Sequence, residues 1–297
     1  MENLKNPIIT LPFDSFQANA CATQQQSYIE HLEHGGILFL PNLGFNLLPD
    51  EQRFLSPGWS DGKAKNIYLR GNERSIRGAQ GNANDLAAMS QLIERYALSA
   101  KQLIQHLLPS YADFAKPANT SLRCIEAAGR KTSWRKDDSR LHADSFPSKP
   151  THGERILRVF TNVNPDNKPR VWKIGEPFSD MAAKFIQKVP RYSKTQSKLT
   201  YLLGITKTMR GEYDHTMLHL HDLVKADLDY QLNEPQMIFE FPANSSWIVY
   251  SDQVLHAVLS GQYMLEQTLH LPQKNLAYPE SSPQQLIAKI LKRTIHS

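Results

Sequence analysis

The sequence predicts an α+β protein in which a β jelly roll is buttressed by helices. Two observations carry this. Apolar spacing of helical period is concentrated in the amino-terminal third, and after Pro117 the texture changes to short β-like runs punctuated by turn residues. No internal repeat, low-complexity tract or Gly/Ser linker interrupts the chain. Residues 1–297 therefore parse as one domain: a mainly helical packing region over 1–117, a jelly-roll core with an inserted helix over 118–272, and a C-terminal helix over 282–294.

Taken in order, residues 23–34 predict a helix that stops at Gly35-Gly36, ahead of an apolar strand over 37–40. Residues 84–108 follow the cap signal Asn82-Ala83-Asn84 and place Leu86, Met89, Leu92, Ile93, Tyr96 and Leu103 at helical spacing. Both helices read as scaffold. Short strands are then expected over 121–127, 156–162, 236–240, 246–250, 253–258 and 262–271. Turn signals separate them at Asn164-Pro165, Asn244-Ser245 and Ser260-Gly261, the last with the composition of a hairpin turn. A helix over 211–230 interrupts the series. The C-terminal helix combines an apolar face with cations, so packing on the barrel is its expected role and contact with an anionic membrane surface the alternative.

Composition bounds the function classes. With 40% hydrophobic and 21% charged residues the chain reads as soluble and globular. Its two cysteines, Cys21 and Cys124, lie far apart without a CxxC, which argues against a disulfide framework or thiolate zinc site and fits a reducing compartment. The amino terminus lacks a basic-then-apolar leader and no run approaches the ~18 apolar residues of a membrane span, so a cytoplasmic location is expected. Net charge is +5, and residues 123–173 hold twelve Lys or Arg against six Asp or Glu, 12 − 6 = +6, which accounts for the whole excess. Such a region attracts anions such as a carboxylated sugar, a phosphate or nucleic acid; no recognised nucleic-acid motif accompanies Trp134 and Trp172, and no nucleic-acid partner is expected.

The chemistry centres on LHADSFPSKPTHGERILRVF, residues 141–160. His142 and Asp144 are two apart, so in an extended segment both side chains project to one side and reach one ion. A ferrous site of the facial-triad kind needs two imidazoles and one carboxylate. His256, 112 residues beyond Asp144 and at the edge of another β run, is the candidate third ligand. The alternative is a set of hydrogen-bonded polar core residues. A second constellation, His215 and His219, has the four-residue spacing of a zincin helix, but Thr216 stands where the general-base glutamate would be, so a structural role is expected there. His221-Asp222 is a weaker candidate for reaching substrate. No G-x-S-x-G, P-loop or G-x-G-x-x-G occurs.

The strings LHADSFPSKPTHGERILRVFTNVNP, YDHTMLHLHDLVKAD and SDQVLHAVLSGQYMLEQTLHLP resemble the Kdo 3-hydroxylase family, and the similarity extends over most of the chain. The resemblance implies a double-stranded β-helix (cupin-like) core and Fe(II)/2-oxoglutarate-dependent dioxygenase chemistry, with O2 as oxidant and ascorbate as reductant in vitro. It implies His142, Asp144 and His256 as iron ligands. The implied substrate is Kdo, an acidic eight-carbon sugar, hydroxylated at C3 on a lipid A precursor to give Ko. The rival readings are an oxygenase of the same superfamily acting on another acidic metabolite, and a non-catalytic jelly-roll module binding anionic sugar.

Most enzymes of the wider superfamily place an arginine about ten residues after the distal histidine to hold the far carboxylate of 2-oxoglutarate. Here the stretch reads Met264-Leu265-Glu266-Gln267-Thr268-Leu269-His270, with no arginine. Arg158, on the strand after the HxD segment, is the expected substitute, because its planar fork holds a carboxylate bidentately. Arg155, three residues earlier, faces the other side of the strand. Arg123 is the second candidate, with Trp172 and Thr268 as pocket walls. Arg130, Lys131, Arg135 and Arg140, with Lys136, are expected to steer an anionic Kdo–lipid A glycolipid at the inner membrane. Between Asp144 and Arg155, SFPSKPTHGE reads as a mobile bridge.

Overall fold

Every one of the eight residues of the strand Arg155–Asn162 is buried, so both of its faces must be covered. The computed structural model, which describes residues 6–70, 75–130 and 132–297, shows how. In chain order the elements are β1 (Ile8–Thr10), α1 (Ala22–Glu33), β2 (Ile37–Leu40), β3 (Ile67–Leu69), α2 (Ala83–Leu107), β4 (Lys116–Arg123), β5 (Arg155–Asn162) and β6 (Arg170–Gly175). The helices α3 (Phe178–Phe185), α4 (Lys194–Leu202), α5 (Glu212–Ala226) and α6 (Leu228–Asn233) follow, then β7 (Gln236–Phe241), β8 (Ser246–Tyr250), β9 (His256–Ser260), β10 (Met264–Leu271) and α7 (Pro283–Leu291). A seven-stranded sheet of order β1-β2-β8-β5-β10-β4-β3 faces a three-stranded sheet of order β7-β6-β9.

Period-two alternation sorts the side chains. On β5, Leu157 and Val159 join the core built on α1 and α2, with Leu32, Met89, Leu92, Ile93 and Leu103. Phe160, on the other face, meets Trp172 of β6 and Trp247 of β8 in the core between the sheets. On β10, Leu265 and Leu269 face the helices; Glu266, Thr268 and His270 alternate with them and are buried on the inner face. Polar residues thus line the interior of the roll, which is where a binding site belongs in this architecture.

Among the features that differ from what the sequence predicts are the strand β6 and three others. Ser260-Gly261 is not a hairpin turn: β9 pairs with β6 in the small sheet while β10 lies between β5 and β4 in the large one, so the chain crosses between sheets there. Gly261 makes that crossing possible, because at φ +119° it leaves only 2.9 Å between a would-be Cβ and the Cα of Arg170. Besides β2, which the sequence predicts, the amino-terminal 117 residues supply β1 and β3 to the large sheet as well as two helices. The helix expected over 211–230 is broken at Asp227, which caps α6 by accepting a hydrogen bond from the Tyr230 N–H at 3.0 Å.

The C-terminal helix α7 buries Ile287 completely and packs Leu286, Ile290 and Leu291 against the core formed with α3 and α5. Its apolar face is therefore turned to protein, and the membrane alternative for this helix is withdrawn. No helix among the described residues is long and apolar enough to cross a membrane.

Arg155 and Arg158 lie on opposite faces of β5, as alternation requires. Arg155 is 1% exposed and donates through Nε to Asp252 at 2.7 Å and through Nη2 to Gln253 at 2.6 Å, with its guanidinium over the Tyr250 ring. Removing one member of a buried pair strands its partner. Arg155→Ala is expected to destabilise the protein by about 3–5 kcal/mol in denaturant unfolding while leaving 2-oxoglutarate affinity unchanged; a normal unfolding midpoint would contradict the pairing.

Candidate metal centre

His142 and His256 face each other as partners in an isolated antiparallel bridge: the His142 N–H donates to the His256 carbonyl at 3.0 Å and the His256 N–H to the His142 carbonyl at 2.9 Å. Directly opposed residues share a face of the ladder, and the two rings stand 4.8 Å apart. Asp144 continues the extended segment, its N–H donating to the Ser251 carbonyl at 2.7 Å. Two residues beyond His142, it projects to the same side. One donor atom from each of His142, Asp144 and His256 falls within 4.8 Å of the other two, in an arrangement with both histidines buried.

Each ring is already set for a cation. A carbonyl oxygen only accepts, so His142 Nδ1–H donates to Arg140 O at 2.7 Å and His256 Nδ1–H to Val254 O at 2.8 Å. Both tautomers therefore leave the Nε2 lone pair free, the usual outer-sphere arrangement of a metal-binding histidine. Burial and the neighbouring His256 push the His142 imidazole well below its ordinary range, and burial lowers His256 against the opposing pull of Asp144. Burial opposes ionisation of Asp144, yet Arg158, His256 and His142 outweigh it and hold the carboxyl far below the usual range. Its Oδ2 lies 2.8 Å from Arg158 Nη2 at an angle that makes no hydrogen bond. Two neutral imidazoles and an anionic carboxylate with an unsatisfied buried oxygen fit a ferrous ion.

The inner face beside this centre carries a chain of opposite charges. Arg158 Nη1 donates to Glu266 Oε1 at 2.6 Å, Arg123 binds Glu266 Oε2 through Nε at 2.9 Å, and Thr268 Oγ1 donates to Glu266 Oε1 at 3.1 Å. Trp172 stacks on the His256 ring at 5.0 Å. Arg158, Arg123, Trp172 and Thr268 are thus brought together next to His142, Asp144 and His256. Arg158 Nε and Trp172 Nε1 are buried without a partner among the described residues, donors suited to an additional anionic ligand such as 2-oxoglutarate.

Two residues of this neighbourhood, Glu266 and Arg170, escape the sequence reading, and a weaker candidate, His221, lies nearer than expected. Glu266 stands ten residues after His256, where the superfamily arginine would be, and its signal was that very position. Burial disfavours its charge, but Arg123 and Arg158 keep the carboxyl below its ordinary 4.5. Its stabilising contribution is therefore complete above that value and lost as pH falls through the lower folded one. Glu266→Gln is expected to flatten the acid limb of Tm measured on the ligand-free protein between about pH 6 and pH 3; a profile parallel to wild type would refute the coupling. Arg170, on the unforeseen strand β6, is 3% exposed, gives Nη1 to the Gly261 carbonyl at 2.6 Å and leaves Nε unpartnered. Burial and the adjacent Arg123 push its guanidinium down to about 9. His221 of α5 sets its ring 5.4 Å from His142, with Nδ1 3.0 Å from Asp222, closer to the centre than its spacing suggested.

The basic loop divides. Arg130 and Lys136 line a polar cavity of about 30 Å3 together with Arg123, Arg170, Asp137 and Asp138. Arg135 is held by Asp222 at 2.9 Å and lies over Trp134, and Arg140 donates to Asp137 and to the Lys225 carbonyl. These two tie the loop to α5. Lys131 lies outside the described residues. His215 is buried, its Nε2 2.8 Å from the Pro190 carbonyl, and its ring lies against His219; His215 anchors α5. The bridge after Asp144 is pinned rather than loose, since Asp214 accepts from the Thr151 N–H at 2.7 Å and from the His152 N–H at 3.2 Å.

A jelly roll whose inner edge presents two histidines and a carboxylate defines the class of facial-triad metalloproteins. The family model for 3-deoxy-D-manno-oct-2-ulosonic acid (Kdo) hydroxylase matches residues 15–294, and the chain belongs to that family. It is similar to a crystal structure of the Kdo hydroxylase KdoO, a non-heme Fe(II) α-ketoglutarate-dependent dioxygenase, in complex with α-ketoglutarate and Fe(III): 46% identity, TM-score 0.94, 98% of this chain and 97% of that one covered. A KdoO complex with cobalt(II) matches at 47% identity and TM-score 0.95, covering 98% of each chain. The complex with succinate and Fe(III) matches at 46% and 0.94, again over 98% of both. No curated protein sequence matches the chain significantly.

Proposed function

We propose that this chain is an Fe(II)/2-oxoglutarate-dependent dioxygenase that hydroxylates C3 of Kdo on a lipid A precursor, giving Ko in the lipopolysaccharide inner core. The observation that carries the reading is the convergence of His142, Asp144 and His256, with both Nε2 atoms freed by carbonyl-bound Nδ1 atoms, in a member of the Kdo hydroxylase family. Its similarity to KdoO structures holding iron with α-ketoglutarate or succinate supports the same cofactors here.

His142, Asp144 and His256 would hold the iron, and Arg158 with Arg123 would take the far carboxylate of 2-oxoglutarate between Trp172 and Thr268. When bound, iron and 2-oxoglutarate supply the activation of O2, with succinate as the co-product. The protein's own part is positional. The two Nδ1–carbonyl bonds fix the imidazole planes, and the inner face of the roll keeps bulk water from the centre. Arg130 at the polar cavity steers an anionic sugar inward, while Arg135 and Arg140 hold the loop against α5. The enzyme acts as a single domain in the cytoplasm, working peripherally at the inner membrane where such a glycolipid resides.

Incubating Kdo-bearing lipid A precursor with the protein, Fe(II), ascorbate, O2 and 2-oxoglutarate is expected to add one oxygen to the Kdo unit by mass spectrometry. Two-oxoglutarate turnover without any Kdo-dependent stimulation would instead favour an oxygenase for another acidic metabolite.

A further inference from the structure

The segment 191–210 carries the most concentrated apolar exposure among the described residues. Leu202 is 69% exposed, Leu203 65% and Ile205 58%, with Leu199 and Tyr201 beside them. A folded protein does not leave so many large apolar side chains together on one protrusion unless something covers them. The same segment holds Arg191, Lys194, Lys198, Lys207 and Arg210 and no acidic residue. None of the five has a carboxylate partner among the described residues, although Arg210 donates to the Pro147 carbonyl at 2.6 Å.

The protrusion is built to be stiff. Ser193 caps α4 by accepting from the Gln196 N–H at 3.2 Å. At its base the Ser197 and Tyr192 hydroxyls both donate to the Arg210 carbonyl, at 2.6 and 2.9 Å. At its tip the Gly204 N–H donates to Tyr201 O and the Ile205 N–H to Thr200 O, each at 3.0 Å. The reversal needs Gly204 at φ +69°. The tip thus satisfies the N–H groups of Leu203, Gly204, Ile205 and Thr206 internally, which lowers the cost of taking them out of water.

We propose that α4 and the turn after it form a membrane-docking element that inserts Leu199, Leu202, Leu203 and Ile205 into an anionic lipid surface, with the flanking cations on the headgroups. Charge decides the occupant. A second copy meeting the same face would bring five unneutralised cations against five, whereas an anionic bilayer neutralises them while covering the apolar tip. The placement suits the chemistry as well. The Lys207 N–H donates to the Ser148 carbonyl at 2.9 Å, and with the Arg210–Pro147 bond this fastens the element to the bridge that begins immediately after Asp144. The inference rests on the proposed reading that the substrate is a membrane glycolipid, since such a substrate presents its sugar only at a bilayer surface.

The test is flotation of the full chain, without iron or substrate, on vesicles of phosphatidylethanolamine and phosphatidylglycerol and on vesicles of phosphatidylcholine alone. Wild type is expected to float with the anionic vesicles, less so as salt rises, and not with the zwitterionic ones. The triple variant Leu202→Ser, Leu203→Ser, Ile205→Ser changes only exposed positions and is expected to lose at least about tenfold in partition, and Lys198→Glu or Lys207→Glu about fivefold or more each. Wild type that stays with the pellet, or a triple variant that floats equally well, overturns the proposal. So does a triple variant that turns a dimer into a monomer in sedimentation velocity with vesicle binding unaltered, which would assign the face to a second copy. A Kdo oligosaccharide freed of its acyl chains separates this from the enzyme reading: equal turnover of it by wild type and triple variant, with glycolipid turnover lost only in the variant, supports docking. Absence of turnover in both with intact flotation also leaves docking standing and strikes the enzyme reading instead.

Discussion

Alanine at Asp144 is expected to abolish succinate formation, lowering it by a factor on the order of 10^2 or more, because even changes behind the direct ligands of such sites cost 10–100-fold. Asp144 is the only carboxylate in the three-residue cluster, and its anionic state is secured by Arg158 and both histidines against the opposing effect of burial. Without it two neutral imidazoles remain, a set that binds a ferrous ion weakly. Anaerobic Fe(II) titration followed by 2-oxoglutarate decarboxylation measures both consequences, and His142→Ala should behave alike. Succinate production at the wild-type rate in either variant would remove the ligand assignment. Asp144→Asn keeps the shape and loses the charge, so a folded but inactive Asn variant would place the effect on metal binding rather than on packing.

Replacing Arg158 with alanine is expected to raise the 2-oxoglutarate requirement by at least about 30-fold, the lower end of the roughly 2–5 kcal/mol lost when one member of a buried charged pair is truncated. Arg158 is 8% exposed and stands between Asp144 and Glu266, so its removal leaves both carboxylates without their shared cation. Stability should fall too, by about 3–5 kcal/mol. Arg158→Lys retains the charge but not the planar fork and should recover stability better than cosubstrate affinity. Arg155→Ala, with its side chain on the opposite face and its own partner Asp252, separates the two effects, since it loses stability alone. An unaltered apparent affinity for 2-oxoglutarate in Arg158→Ala would transfer the role to Arg123.

The two arginines show how far a one-dimensional reading reaches. Their three-residue separation on a strand is enough to put them on opposite faces, and β5 places them so. What no spacing rule supplies is the identity of their partners. Arg158 meets Glu266 because β10 runs antiparallel beside β5, with Thr268 opposite Arg158 and Glu266 opposite Phe160. Arg123 joins them because β4 flanks β10 on its other side, opposite Met264. A stretch read only for its missing arginine thus holds the carboxylate that gathers two arginines from neighbouring strands. The strand β6 went unforeseen because its alternation mixes Arg170 and Lys173 with Trp172 and Ile174, and a charged residue turned into a roll carries no local mark of its burial. The exposed tip of α4 is the converse case, since a leucine pattern reads alike whether it faces a core or a surface.

The sequence by itself determined the class of the protein, the candidate ligands His142 and Asp144 through their two-residue spacing, the long helix α2 through its apolar period, and the basic character of residues 123–173. These are local properties, written in spacing and composition. Only the tertiary structure decided that His256, the candidate third ligand, meets His142 through a reciprocal bridge, that Glu266 mediates between Arg123 and Arg158, and that the apolar face of α7 is covered while that of the α4 turn is not. Each depends on which distant segments become neighbours, and that is settled by how two sheets and their helices bury a common core rather than by any signal within a single stretch of chain.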